Sequence, residues 1–298
     1  MARKLDEILS LAKAKEKKTL SVAAAHDKEV LSSVTEAVKL GIVDAILVGD
    51  EVKIKSIAKE NELLLDNIKI IDEKNVLKAA TKAVELVSNG QANYIMKGLL
   101  GTADLLRAVL NKEARLRGNG LLSHVMVYEV PTYHKLILLT DGGMVPYPSL
   151  EDKIGIINNA VKVAHKLELE VPKVAPICAV EIVNPGMQAT LDASVLSQMN
   201  KRGQIKGCIV DGPLGLDNAI SKIAAEHKGI ISEVAGDVDI LLVPNIESGN
   251  FLGKSMTYFA NAKSAGVIMG AKCPVVLVSR ADSAESKLYS IALGSVIS

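Results

Sequence analysis

The sequence predicts an α/β protein of two domains, with mostly parallel sheets flanked by helices. Three observations predict it. Short apolar, β-branched runs alternate almost throughout with segments of helical periodicity, the pattern of βα units. That alternation breaks once near the middle, where two strand-like runs follow one another across a short connection. The chain also has 298 residues, 49% of them hydrophobic and 23% charged, enough to bury two sizeable cores.

Residues 1–18 set Leu and Ile at helical spacing among Lys and Glu. This is an amphipathic surface helix; a signal peptide needs an uninterrupted apolar centre. Residues 20–25, 45–48, 68–71 and 94–96 read as the first four strands. Helices at 28–40 and 75–88 lie between them, the second with Val76, Ala79, Ala80, Ala83, Val84 and Val87 on one stripe. A short helix follows at 102–111, and then a turn-rich Arg115-Leu-Arg-Gly-Asn-Gly120. Strands at 122–130 and 135–140, joined by residues 131–134, predict an antiparallel pair. Helix 150–167, strand 174–179, helix 189–200, strand 207–210, helix 218–226 and strand 240–243 resume the βα order. A last apolar run from Pro274 stops at Ser279-Arg280, and a polar helix start follows. The domain crossing falls near Gly118–Gly120, with 1–120 plus 269–298 as the first domain and 121–268 as the second.

Composition removes several classes of function. The net charge is +1 without a block of like charge, so no basic face neutralises a nucleic-acid backbone. With 6 Tyr, 2 Phe and no Trp, base-stacking platforms are not expected either. No apolar run reaches membrane-spanning length. Cys178, Cys208 and Cys273 sit in or beside apolar runs without CxxC spacing. They read as buried free thiols in a reducing compartment, with the cytoplasm as the expected location. No His has metal-ligand spacing, so no metal is expected. His26 follows the first strand and could line a cleft or be a satisfied structural histidine.

The chemistry-bearing residues cluster just after strands, where open α/β sheets bind ligands. Ser279 and Arg280 end the last strand, and a hydroxyl beside a permanently charged guanidinium reads as an anion-handling pair. The plainer alternative is a helix cap at Ser279 or Ser283 with Arg280 on the surface. Lys97-Gly98 ends the fourth strand, and Thr102, Asp104 and Arg107 open the helix beyond it. That region is an anion pocket at a helix N-terminus or, equally, a Thr102 cap with Arg107 in solvent. Asp141-Gly-Gly143 and Asp211-Gly-Pro213 read as tight turns, each with a carboxylate. Gly253-Lys254-Ser255 suggests a P-loop, but position 248 is Ser where that loop needs Gly. The segment is instead a Gly-rich helix start with Ser248 or Asn250 as its cap, whose amides could meet phosphate. Neither GxGxxG nor GxSxG is present.

Taken at one register, these residues resemble the phosphate acetyltransferase and phosphate butyryltransferase family. The resemblance is carried by Met96-Lys-Gly-Leu, Leu105-Leu-Arg107, Leu110-Asn-Lys-Glu113, Ser123-His124-Val and Lys173-Val-Ala-Pro-Ile-Cys-Ala-Val-Glu181. It continues through Arg202-Gly-Gln-Ile-Lys-Gly-Cys208, Asp211-Gly-Pro-Leu214, Glu233-Val-Ala-Gly236, Pro244-Asn-Ile-Glu-Ser-Gly-Asn250 and Ser279-Arg-Ala-Asp-Ser283. It implies an isocitrate/isopropylmalate dehydrogenase-like fold with an interdomain cleft, the last strand and helix belonging to the N-terminal domain. It also implies reversible transfer of a short acyl group, butyryl or a similar short or branched chain, between coenzyme A and inorganic phosphate by way of an acyl phosphate; the alternatives are acetyl transfer, or a dehydrogenase or an acyl-CoA sensor on the same fold. No permanently bound cofactor is implied, and a homo-oligomer of at least two chains is expected.

By the same resemblance, Ser279 and Arg280 match the catalytic Ser-Arg pair, and Thr102 and Arg107 match a phosphate-binding Ser and Arg. Lys97, Ser248, Asn250 and Tyr258 complete the expected substrate site. Two departures stand out. Acetyltransferases of the family carry an Asp where this chain has Ser286, which leaves Asp282 or Glu285 as the base. They carry an Arg where this chain has Tyr258, a change that suits a longer acyl chain.

Overall fold

The structure is a computed structural model and describes residues 3–118, 120–277, 279 and 282–298. Helix α1 (Leu5–Ala14) buries Leu5, Ile8 and Ala12, the stripe expected of an amphipathic helix. Strand β1 (Lys18–Ala23) opens a βα series: α2 (Lys28–Lys39), β2 (Val43–Gly49), α3 (Glu51–Glu60), β3 (Lys69–Asp72), α4 (Val76–Ser88), β4 (Tyr94–Lys97) and α5 (Thr102–Val109). The βα junctions repeat one device. Asp27, Asp50 and Asn75 each cap the following helix, accepting from Val30, Lys53 and Lys78 amides respectively. The α4 stripe is buried at Ala79, Ala80, Ala83, Val84 and Val87, while Val76 at the first turn is half-exposed.

Strands β5 (Ser123–Glu129) and β6 (Ile137–Thr140) are antiparallel, as their short connection predicts. There follow α6 (Leu150–Lys166), β7 (Lys173–Pro176), α7 (Gln188–Lys201), β8 (Ile209–Val210), α8 (Leu216–Ile220), α9 (Lys222–His227), β9 (Ile240–Leu242) and α10 (Ile246–Phe259). The chain ends with β10 (Lys263–Met269), β11 (Val275–Val276) and α11 (Ala284–Ile297). Several expected bounds change, among them the strand expected over 174–179, which ends at Pro176. The helix expected over 218–226 is two pieces, because Ser221 is extended and its hydroxyl caps α9 through the Ala224 amide. The strand expected from 207 begins at Ile209, since Gly207 has φ +76. The last strand is only Val275–Val276.

Two compact units emerge. The first, residues 6–120 and 265–298, has strand order β3-β2-β1-β4-β11-β10, parallel except for β10 against β11. In it α11 packs against α2. The second, residues 1–5 and 121–264, has order β5-β6-β9-β7-β8, parallel except for β5. Among the described residues, no helix is long and apolar enough to cross a membrane.

Candidate active site

In the first unit, β1, β4 and β11 are parallel neighbours, so their carboxyl ends share one edge. The register Val276 to Met96 places Lys97 opposite residue 277, and Ser279 therefore leaves the sheet at that edge. Gly98 rests on the end of β1, its amide donating to Ala23 O at 2.8 Å. A Cβ there would lie 2.3 Å from Ala24 O, so only glycine allows this approach. Lys97 is buried, and its ammonium donates to Gly98 O at 3.3 Å and Leu100 O at 3.2 Å. These bonds tie the turn that launches α5.

The cap of α5 is Gly101, without a side-chain cap bond, so Thr102 is the first helical residue and does not cap it. The Asp104 amide turns back to Gly101 O at 3.2 Å, which leaves the Thr102 and Ala103 amides to face a ligand or water. Arg107 is exposed and pairs with Asp104 at 2.8 Å. An exposed pair of this kind contributes little, so Arg107 can exchange Asp104 for a stronger anion at small cost.

Ser279 is exposed, and its amide donates to Asp282 Oδ2 at 2.7 Å while the Asp282 amide returns to Ser279 O at 3.2 Å. Ser283, not Ser279, caps α11, accepting from the Ser286 amide at 3.1 Å. Glu285 accepts from the Tyr289 hydroxyl at 3.3 Å. Arg280 lies outside the described residues.

In the second unit, the carboxyl ends of β6 and β9 carry two joined segments. Asp141 is almost fully buried, and its carboxylate accepts from the amides of Gly143 (2.8 Å), Met144 (3.0 Å) and Val145 (3.1 Å). Burial raises its pKa against the lowering effect of these bonds and of one from His124. The carboxylate is the stabiliser of this turn. Gly142 meets Gly249 backbone to backbone; a Cβ on Gly249 would sit 2.7 Å from Gly142 Cα. The glycines after β9 thus serve helix packing. The cap of α10 is Asn245, which accepts from the Ser248 amide at 2.9 Å and its hydroxyl at 2.7 Å. Neither Ser248 nor Asn250 is the cap, because the helix starts two residues before Ser248. The Ile246 amide is also taken, by Pro146 O at 3.0 Å. Asn250 and Tyr258 are exposed on α10.

Two features escaped the sequence reading. His124 is buried at Nε2 without a partner, and burial pushes its pKa down to about 4. Lys153 and Asp192 form a buried ion pair at 2.5 Å, 39 positions apart in sequence. Nothing local in the sequence signals either. At the opposite, amino ends of β6, β7 and β9, Asp237 and Asp239 gather Lys135 and Lys173. Burial pushes Asp237 up, but bonds from Lys173, Lys135 and His134 outweigh it and hold the carboxyl well below the usual range. That cluster braces the strand starts. Among the described residues, no group of three or more His, Cys, Asp or Glu is placed to hold a metal ion.

A family model described as phosphate acetyl/butaryl transferase matches residues 4–81 and 73–295. The chain belongs to that family. It is an acyltransferase. The phosphate butyryltransferase of Clostridium acetobutylicum is 53% identical over 297 residues, covering 100% of this chain and 99% of the relative. That of Clostridium beijerinckii is 50% identical, covering 100% of this chain and 98% of the relative. Among solved structures, a branched-chain phosphotransacylase from Enterococcus faecalis V583 is similar at TM-score 0.82 and 37% identity, covering 94% of this chain and 99% of that one. This acyltransferase thus meets its relatives along its whole length, α11 included.

Proposed function

We propose that the enzyme converts butyryl-CoA, or a similar short or branched acyl-CoA, and inorganic phosphate to acyl phosphate and CoA, reversibly, by direct transfer in a ternary complex. The observation that carries this reading is the full-length similarity to two phosphate butyryltransferases. Phosphate is held by Arg107 and Thr102 at the uncapped start of α5, with Lys97 fixing the turn below it. A phosphate oxygen attacks the thioester carbonyl, and the carbonyl electrons move to oxygen. Arg280 and the Ser279 hydroxyl stabilise that oxyanion. Its collapse expels CoA as the thiolate and leaves the acyl phosphate. In reverse, Asp282 or Glu285 takes the proton from the CoA thiol. Asp282 is the nearer to Ser279 in the fold, since it already accepts the Ser279 amide.

Ser248, Asn250 and Tyr258 are proposed to contact the acyl-CoA. The exposure of Asn250 and Tyr258 on α10, and the place of half-buried Ser248 on its first turn, support this. No permanently bound cofactor enters the reading. A cytoplasmic setting and a homo-oligomer of at least two chains go with it; three buried free thiols support the first. Exposed Phe251 and Phe259 on α10 support the second.

A second reading is phosphate acetyltransferase, favoured by the breadth of the family description. Thiol release from butyryl-CoA and acetyl-CoA, with and without phosphate, separates the two. Phosphate-dependent release with a higher kcat/KM on butyryl-CoA is expected, since butyryl is two methylenes longer than acetyl and each contributes about 1–3 kcal/mol in an apolar pocket. A preference for acetyl-CoA would install the second reading. If Tyr258→Arg leaves the ratio unchanged, Tyr258 does not set chain length.

A further inference from the structure

Lys287 stands on the first turns of α11, is 2% exposed, and its ammonium donates to the main-chain oxygen of Asp282. Among the described residues, no carboxylate lies within ion-pair distance of it. The acid nearest in sequence, Glu285, accepts from Tyr289, whose hydroxyl also bonds Asp6 at 2.6 Å. Two local costs follow. A buried ammonium needs more compensation than one carbonyl supplies. A cation near a helix N-terminus also opposes the helix dipole. Packing does not require either, since an apolar side chain of the same length fills the same space.

What the ammonium does is hold one end of a closed turn. The Asp282 oxygen that it grips belongs to the residue whose carboxylate accepts the Ser279 amide at 2.7 Å and whose amide returns to Ser279 O at 3.2 Å. Ser279 is exposed just past the two-residue β11, and this anchor braces the Asp282 end of its turn. We infer that Lys287 is a positioning residue for acyl transfer: its buried ammonium fixes the Asp282 end of the turn that carries Ser279. The inference rests on the proposed function, in which the Ser279 hydroxyl meets the oxyanion.

The test uses Lys287→Met, Lys287→Ala and the wild-type enzyme. The wild type is assayed first on butyryl-CoA and acetyl-CoA; failure on both strikes the functional reading and not this inference. With activity in hand, Lys287→Met lowers kcat about 100-fold, the scale of a roughly 1 Å misplacement. Its KM values for acyl-CoA and phosphate stay within about twofold, because Lys287 touches neither. Its Tm is unchanged or higher, as expected when an apolar residue replaces a buried cation. Lys287→Ala regains kcat with n-propylammonium, which restores the missing ammonium, and gains nothing from n-butane. Wild-type kcat in Lys287→Met overturns the inference. So does a kcat loss that follows a fall in Tm and vanishes on cooling, the mark of a merely structural lysine.

Discussion

His124 makes the stability of the second unit depend on acidity in a calculable way. Its buried ring takes a pKa of about 4, against an ordinary value of 6.5, because the charged form is desolvated. Between those values the unfolded chain binds more protons than the folded one, so stability rises with pH and is lost as pH falls through that window. Linkage gives a loss of about 2 kcal/mol from this one residue between pH 7 and pH 5. Urea unfolding at both pH values measures the loss in the wild type and in His124→Gln, which cannot titrate. The wild type should lose about 2 kcal/mol more than the variant. NMR titration of the ring gives the pKa directly. Equal losses in the two proteins, or a ring that titrates near 6.5, would falsify the argument that burial of Nε2 governs this histidine.

Lys153→Met and Asp192→Leu should each cost about 3–5 kcal/mol in urea unfolding, since each strands a buried charge. The double substitution should recover most of that loss; additive effects would refute the pairing. Burial raises the thiol pKa values of Cys178 and Cys208 to about 11 and of Cys273 to about 12. A disulfide reagent at pH 7 should thus leave the native enzyme nearly unreacted and titrate 3 thiols after denaturation. Rapid native reaction would contradict their burial. Arg107→Ala should raise the KM for phosphate strongly with Tm unchanged, while Ser279→Ala should mainly lower kcat. Small equal effects on both parameters in both variants would sink these roles.

The βα alternation was legible because hydrophobic periodicity is local, and so were the antiparallel pair and the α4 stripe. Element ends were read less well, where a single backbone angle or hydroxyl decides. Gly207 shortens β8, and Ser221 divides a helix. The glycines after β9 looked like a phosphate-binding start, yet Gly249 is there to meet Gly142. Their spacing could not say whether a ligand or another piece of backbone needed the room. Thr102 and Ser248 have the right chemistry for caps, but Gly101 and Asn245 take that position.

The sequence by itself determined the element order, the α/β class and, through motifs spread over its length, the family of acyltransferases. These depend on residue type and spacing along the chain. Only the tertiary structure decided that β4 and β11 are neighbours, that Lys287 and the Nε2 of His124 are buried, and that Lys153 meets Asp192. Each joins or shields groups that are distant in sequence. Their desolvation depends on what packs around them, and no local pattern encodes it.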